Sequence, residues 1–195
     1  MTTRDRILNE ALTLFADNGY DGTSVEEIAE KVGIKAPSLY NHFKGKEDIL
    51  YALIDMAEAR YEEFFGSDRH FGKLPENKEE FIQTSLQKIS FTINDPMIRK
   101  MRKFLVREQF RNERFAEITT KHQLNGIQGM YTKIIEGMMS KGLFKKDDPE
   151  LLAIEVTAPV ALWIAKADRQ PRCEQESTEN IERHIRHFCD VYMLD

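Results

Sequence analysis

At 195 residues, 41% hydrophobic and 31% charged, the chain has room for one medium domain, or a small one joined to a larger one, with a real core and a soluble surface. A formal net charge of -5, taken over the whole chain, argues against nucleic acid as a partner. Two cysteines, Cys173 and Cys189, disfavour a disulfide framework and suit a reducing cytoplasm, and the opening MTTRDRILNEALTLF lacks the apolar run and cleavage site of a signal peptide. The longest apolar run, residues 151–165, holds Glu155, Thr157 and Pro159 and is shorter than the roughly 20 residues a bilayer span needs, so no membrane segment is expected.

The first predicted helix runs from about Thr3 to Asn18, with Ile7, Leu8, Ala11, Leu12, Leu14 and Phe15 on one face and Gly19 as its stop. GTSVEEIAEKVG opens with two overlapping capping boxes, Thr23 with Glu26 and Ser24 with Glu27, and turns Ile28, Ala29 and Val32 inward. Gly33-Ile34 makes a tight turn. KAPSLYNHF follows as a second short helix with Pro37 in its first turn. Ile34, Leu39 and Phe43 point inward there, and Ser38, Tyr40, Asn41 and His42 outward. So short a helix is unstable alone and must be held against the first.

A fourth helix, Lys46 to about Phe65, begins after the Lys44-Gly45 turn and connects to a linker at residues 66–77, GSDRHFGKLPEN. Further helices are expected at about 78–93, 96–111, 113–140, 148–168 and 177–194. The fold class is therefore all-α, with about nine helices: a three-helix N-terminal unit, residues 1–50, and a C-terminal helical bundle, residues 51–195.

Two short helices joined by a glycine turn, the second with exposed polar groups, make a helix-turn-helix, whose second helix enters the DNA major groove. Residues 1–50 carry 6 basic and 9 acidic residues, but residues 31–46 hold Lys31, Lys35, Lys44 and Lys46 and no acid. Phosphate responds to the local field, so the local +4 outweighs the global charge.

GYDGTSVEEIAEKVGIKAPSLYNHFKGKEDIL resembles the DNA-binding signature of the tetracycline-repressor (TetR) family. The resemblance rests on Gly19, Thr23-Ser24-Val25, Ile28-Ala29, Gly33-Ile34, Leu39-Tyr40, His42-Phe43, Lys46-Glu47 and Leu50, and covers roughly residues 4–55. It implies a homodimer on a palindromic double-stranded operator, with a C-terminal domain that binds a small-molecule effector. It also implies that Lys35, Ala36, Pro37, Ser38 and Asn41 face bases, while Tyr40, His42, Lys46 and the Thr23/Ser24 helix start face the backbone. The chemistry agrees: Asn41 suits adenine bidentately, Lys35 reaches guanine or phosphate, and Lys46 sits at an anion-attracting helix N-terminus. The chain departs from the family pattern at Lys35, which removes a side-chain cap from the recognition helix, and at Gly45 before Lys46.

Beyond residue 78 the chain is rich in bulky soft side chains. Phe91, Met101, Phe104, Phe110, Met130, Tyr131 and Trp163 are candidates for lining an effector pocket, although Met and Phe at helical spacing ordinarily fill core. Gly126, Gly129 and Gly137 interrupt one long helical pattern, either for close packing or for space. Residues 99–114 hold seven basic residues and two acids. Arg99, Lys103, Arg107 and Arg111 share a face and repel unless acids of neighbouring helices or an anion answer them, which makes Arg107 a candidate for an anionic effector.

The last two helices carry too much apolar surface for one side of a helix, which suggests a partner, with burial within one chain as the alternative. Leu152, Val156, Val160 and Trp163, with Ile181, Ile185, Phe188 and Tyr192, are the expected dimer interface. No motif for phosphate cradling, dinucleotide binding or hydrolysis is present, and His184 with His187 is too thin a set for a metal, so neither catalysis nor a cofactor is expected. The expected function is a cytoplasmic repressor released by a small molecule. The rivals are a ligand-independent regulator or activator on the same fold, and a helical enzyme or adaptor that has lost DNA binding.

Overall fold

The structure, a computed structural model, describes residues 1–65, 73–111 and 113–194. Among them are ten α-helices and no strand: α1 (Thr3–Asn18), α2 (Val25–Val32), α3 (Ala36–Tyr40), α4 (Lys46–Phe65), α5 (Lys78–Asn94), α6 (Pro96–Glu108), α7 (Glu113–Thr120), α8 (Gly126–Ser140), α9 (Pro149–Arg169) and α10 (Glu174–Tyr192). The expected helix 113–140 is α7 and α8 joined through a π-turn at Lys121–Asn125. The linker expected at 66–77 lies, for residues 66–72, outside the described residues.

Contacts divide the chain into two compact units, Met1–Phe64 with Asp95–Thr119, and Phe65–Asn94 with Thr120–Asp195. This replaces the expected division at residue 50. The first unit draws in α6 and α7, which lie far along the chain, because its own three helices leave apolar surface that α6 covers. Phe104 of α6 stacks on Phe15 of α1, ring centroids 5.5 Å apart, and Phe115 of α7 meets Phe104 edge-on at 5.6 Å. All three are at most 2% exposed.

The α5–α6 break is local chemistry. The Asp95 carboxylate accepts from the backbone N–H groups of Met97 and Ile98, at 3.1 Å each, and Pro96 takes the first helical position, where no N–H is needed. Arg60 of α4 donates to the same carboxylate at 2.9 Å.

The second unit packs Phe81, Ile82 and Ile93 of α5 with Tyr131, Ile134, Ile135 and Met138 of α8, Leu152, Ala153, Val156 and Val160 of α9, and Ile181, Ile185, Phe188 and Cys189 of α10. Gly137 lies close to Leu74, where a Cβ would come within 2.7 Å of Cδ1, whereas Gly129 faces open space. The chain end is tied back: Lys145 N–H donates to Tyr192 O at 2.8 Å and Leu194 N–H to Leu143 O at 2.9 Å.

Burial pushes the Cys189 thiol up to about 12, while Cys173 is half-exposed. A thiolate reagent at pH 8 is expected to modify one thiol per folded chain and the second only after denaturation; two fast equivalents in a thiol titration would contradict the packing of α10.

Candidate nucleic-acid interface

α2 is fixed at both ends. Ser24 is its N-cap: the Glu27 N–H donates to Ser24 Oγ at 3.1 Å, and the Ser24 N–H to Glu27 Oε2 at 2.7 Å. The Ser24 N–H, and after it the Ser24 hydroxyl donating to Glu27 Oε2 at 2.9 Å, hold the Glu27 carboxyl below its usual range. Gly33, at φ 77°, ends the helix in the left-handed conformation, and the Ile34 N–H closes onto Ala29 O at 3.0 Å.

Only one of the two expected capping boxes forms. Thr23 is turned inward, 1% exposed, and its hydroxyl donates to Gly19 O at 2.9 Å and Leu14 O at 3.2 Å. The hydroxyl closes onto carbonyls at and just past the end of α1, so the Thr23 side chain, buried there, holds the α1–α2 connection and does not present a phosphate contact. Ser24 keeps its place at the helix start, half-buried.

α3 is five residues long, shorter than expected, and continues into a turn through His42 N–H to Leu39 O at 2.9 Å and Phe43 N–H to Leu39 O at 3.1 Å. Lys35 is its N-cap and offers no side-chain cap, as its chemistry requires. Pro37 sits in the first turn. Leu39, fully buried, and Phe43 anchor the segment. Lys35, Pro37, Ser38, Tyr40, Asn41 and His42 are exposed and Ala36 is half-buried, so the expected reading side chains share one outward stretch on a buried hydrophobic footing.

Lys46 differs from expectation. Its ammonium donates to Tyr20 O at 2.6 Å and Thr23 O at 2.9 Å and lies 4.4 Å over the Tyr20 ring. It is spent on the turn before α2. The first turn of α4 carries two acids, Glu47 and Asp48, and Asp48 Oδ2 accepts from the Lys44 N–H at 3.0 Å. The exposed cations of this face are Lys31, Lys35 and Lys44. To these the structure adds Arg4, exposed, its guanidinium carbon 5.0 Å from the centroid of the Phe43 ring. Its charge was legible in the sequence, its closeness to the end of α3 was not.

The eight effector candidates divide between the units. In the first, Met101 and Phe104 are core, Phe110 is 91% exposed, and Arg107 donates through Nη1 to Asp17 O at 2.6 Å. The acid beside Arg107 and Arg111 is Glu108 of their own segment, at 3.9 and 3.7 Å. The groups that meet Arg107 in the structure are thus helix carbonyls and Glu108. In the second unit, Phe91, Met130 and Trp163 are half-buried and Tyr131 is buried, its hydroxyl pushed up to about 12 by burial. Lys88 of α5, passed over in the sequence, is half-buried, and burial lowers its ammonium to about 8.

The expected dimer contacts are inverted. Leu152, Val156, Val160, Ile181, Ile185 and Phe188 are buried within their own chain, and Trp163 and Tyr192 partly so. The outward side of α9 carries Leu151, Ile154 and Leu162, at 48%, 45% and 63% exposed, with Ala158 and Ala161 between them. Apolar residues surround α9, so periodicity alone could not say which side its own chain covers. Among the described residues no helix is long and apolar enough to cross a membrane.

Residues 7–53 match the family model of bacterial regulatory proteins, tetR family. The chain is 29% identical over 125 aligned positions to IcaR of Staphylococcus epidermidis, the negative transcriptional regulator of the biofilm operon icaADBC, a match covering 49% of this chain and 68% of that protein. It is 50% identical over 46 residues to IcaR of Staphylococcus aureus, 24% of this chain and 25% of that protein, so there it spans a quarter of the relative's length. Among solved structures, a complex of SmeT with triclosan aligns with a TM-score of 0.79 at 17% identity, covering 100% of this chain and 93% of that one. SmeT is the repressor of the Stenotrophomonas maltophilia multidrug efflux pump SmeDEF. At that identity the likeness is one of fold.

Proposed function

From the match of residues 7–53 to the family model of bacterial regulatory proteins, tetR family, we propose that this chain is a cytoplasmic repressor of that family that binds a palindromic operator as a homodimer and is released by a small molecule. It acts by binding, not by catalysis. The observation that carries this reading is the exposed stretch Lys35–His42 standing on buried Leu39 and Phe43, inside the matched residues. Asn41 and Ser38 supply base-edge hydrogen bonds. Lys35, Lys31, Lys44 and Arg4 supply phosphate contacts.

Repression is favoured by the negative regulator among the relatives, and a small-molecule effector by the triclosan complex of a protein of the same fold. The effector candidates retained are Phe91, Met130, Tyr131 and Trp163 of the second unit. Effector and operator then favour different states of one protein, so each weakens the other's binding by the same factor. The test is a selection of bound duplexes from a random pool, repeated with effector candidates. Recovery of no symmetric sequence would sink the reading, and recovery that no small molecule disturbs would favour the ligand-independent regulator.

For the homodimer, the outward face of α9 replaces the buried residues first expected, and isologous pairing of Leu151, Ile154 and Leu162 would cover it. Leu162→Glu is expected to leave the chain folded and to shift it from dimer to monomer in sedimentation velocity at micromolar concentration. A dimer as tight as wild type would exclude this face.

A further inference from the structure

We infer that Arg107 and Glu108, at the end of α6, are positioning residues for operator reading: they hold the turn through which α1 passes into the helix-turn-helix. The inference rests on the DNA-binding reading above and goes beyond it, because both residues lie outside the matched residues 7–53.

The last turn of α1 contains no basic residue, so nothing on that helix answers its open carbonyls or the negative end of its dipole. Arg107 answers them from α6, with Nη1 2.6 Å from Asp17 O and 3.5 Å from Ala16 O. Glu108, next to it, is 1% exposed, and neither of its carboxylate oxygens has a hydrogen-bond partner among the described residues. Its charge is met by Arg107 Nε at 3.9 Å and Arg111 Nε at 3.7 Å. A buried carboxylate that only ion pairs compensate is costly, so it fixes both guanidinium groups wherever it is held.

It is held against Gly19. A Cβ at that position would lie 2.8 Å from Glu108 Oε1, and the backbone there has φ +85°, which side chains rarely adopt. Gly19 starts the turn leading to Ser24, the cap of α2. The far side of the turn is fixed by Thr23 Oγ1 on Gly19 O and by Lys46 on the carbonyls of Tyr20 and Thr23. Arg107 and Glu108 therefore hold the start of this turn from outside the matched segment. They touch no outward side chain of α3 and act through the angle at which α2 and α3 leave α1.

The test uses the full chain, the selected operator and an unrelated duplex. Arg107→Gln and Glu108→Gln are each expected to weaken operator binding about tenfold, the size of one well-placed cation at a helix C-terminus, while unrelated DNA binds within about twofold of wild type. The double variant should be no weaker than the weaker single one, since the pair acts as a unit. Arg107→Lys, which keeps a charge and a donor, should recover most of the loss. Without DNA, the Gly19 and Tyr20 amide resonances should move in both Gln variants.

Equal losses on operator and unrelated DNA, operator affinity unchanged in folded variants, or a loss that Arg107→Lys does not recover would each overturn the inference. If Glu108→Gln does not fold, the two Arg107 variants decide. If wild type selects no operator, the DNA-binding reading fails separately, and unmoved Gly19 and Tyr20 resonances still overturn the clamp.

Discussion

Truncation of Phe104 to alanine is expected to destabilise the first unit by about 3–5 kcal/mol and to remove operator binding with it, although Phe104 faces no DNA. The ring is fully buried, stacked on Phe15 at 5.5 Å and met edge-on by Phe115 at 5.6 Å. Its loss combines the transfer of a large apolar group with the cavity that rigid neighbours cannot close. The aromatic pairing adds about 0.5–1.5 kcal/mol for each well-placed pair, part of which is already counted in that range. A domain has only about 5–15 kcal/mol in total, so this one change removes a large share.

The measurement is urea unfolding followed by two probes. Trp163 is the sole tryptophan and lies in the second unit, so its fluorescence follows that unit, while far-UV circular dichroism follows both. A circular-dichroism midpoint that falls while operator affinity at zero urea collapses is the expected pattern. A change below about 1 kcal/mol would mean that α6 is not part of the core beneath the reading head.

That core was only half legible in the sequence, for a physical reason. Periodicity is local: it set Ile7, Leu8, Ala11, Leu12, Leu14 and Phe15 on one face of α1, of which only Leu14 stays half-buried, and Leu39 and Phe43 under α3, because those faces repeat within a few turns. It left Phe104 as pocket lining or ordinary core and could not set it against Phe15, some ninety positions earlier. The same limit applies to polar groups. The Ser24–Glu27 cap is written in adjacent residues and was readable. The direction of the Thr23 hydroxyl depends on where Gly19 O and Leu14 O lie, and the commitment of Lys46 depends on the Tyr20–Thr23 carbonyls. In α9 the failure was of another kind. With apolar residues on nearly every side the pattern has no phase, so Val156 and Ile154 look alike until α8 and α10 cover one of them.

The second large effect separates side chains that read DNA from those that hold the reader. Asn41 is exposed just past α3, and Asn41→Ala should weaken the selected operator by about 1–3 kcal/mol and relax base preference at one position of each half-site. Lys44, also exposed, should behave as a phosphate contact: Lys44→Ala weakens every duplex alike and lowers the slope of log K against log salt by about 0.9. Lys46→Met should match neither. Its ammonium is bound to two carbonyls of the chain, so its loss should reduce operator affinity and thermal stability together and leave the salt slope where it was. Fluorescence anisotropy from 50 to 200 mM salt, on operator and unrelated duplex, distinguishes the three. A slope that drops in Lys46→Met would return that lysine to the phosphate, and would require the Tyr20 and Thr23 carbonyls to give it up when DNA arrives. The charge anomaly of residues 31–46 therefore resolves into two populations, because four lysines of one sign cannot all face the duplex when the turn that aims the helix needs one of them.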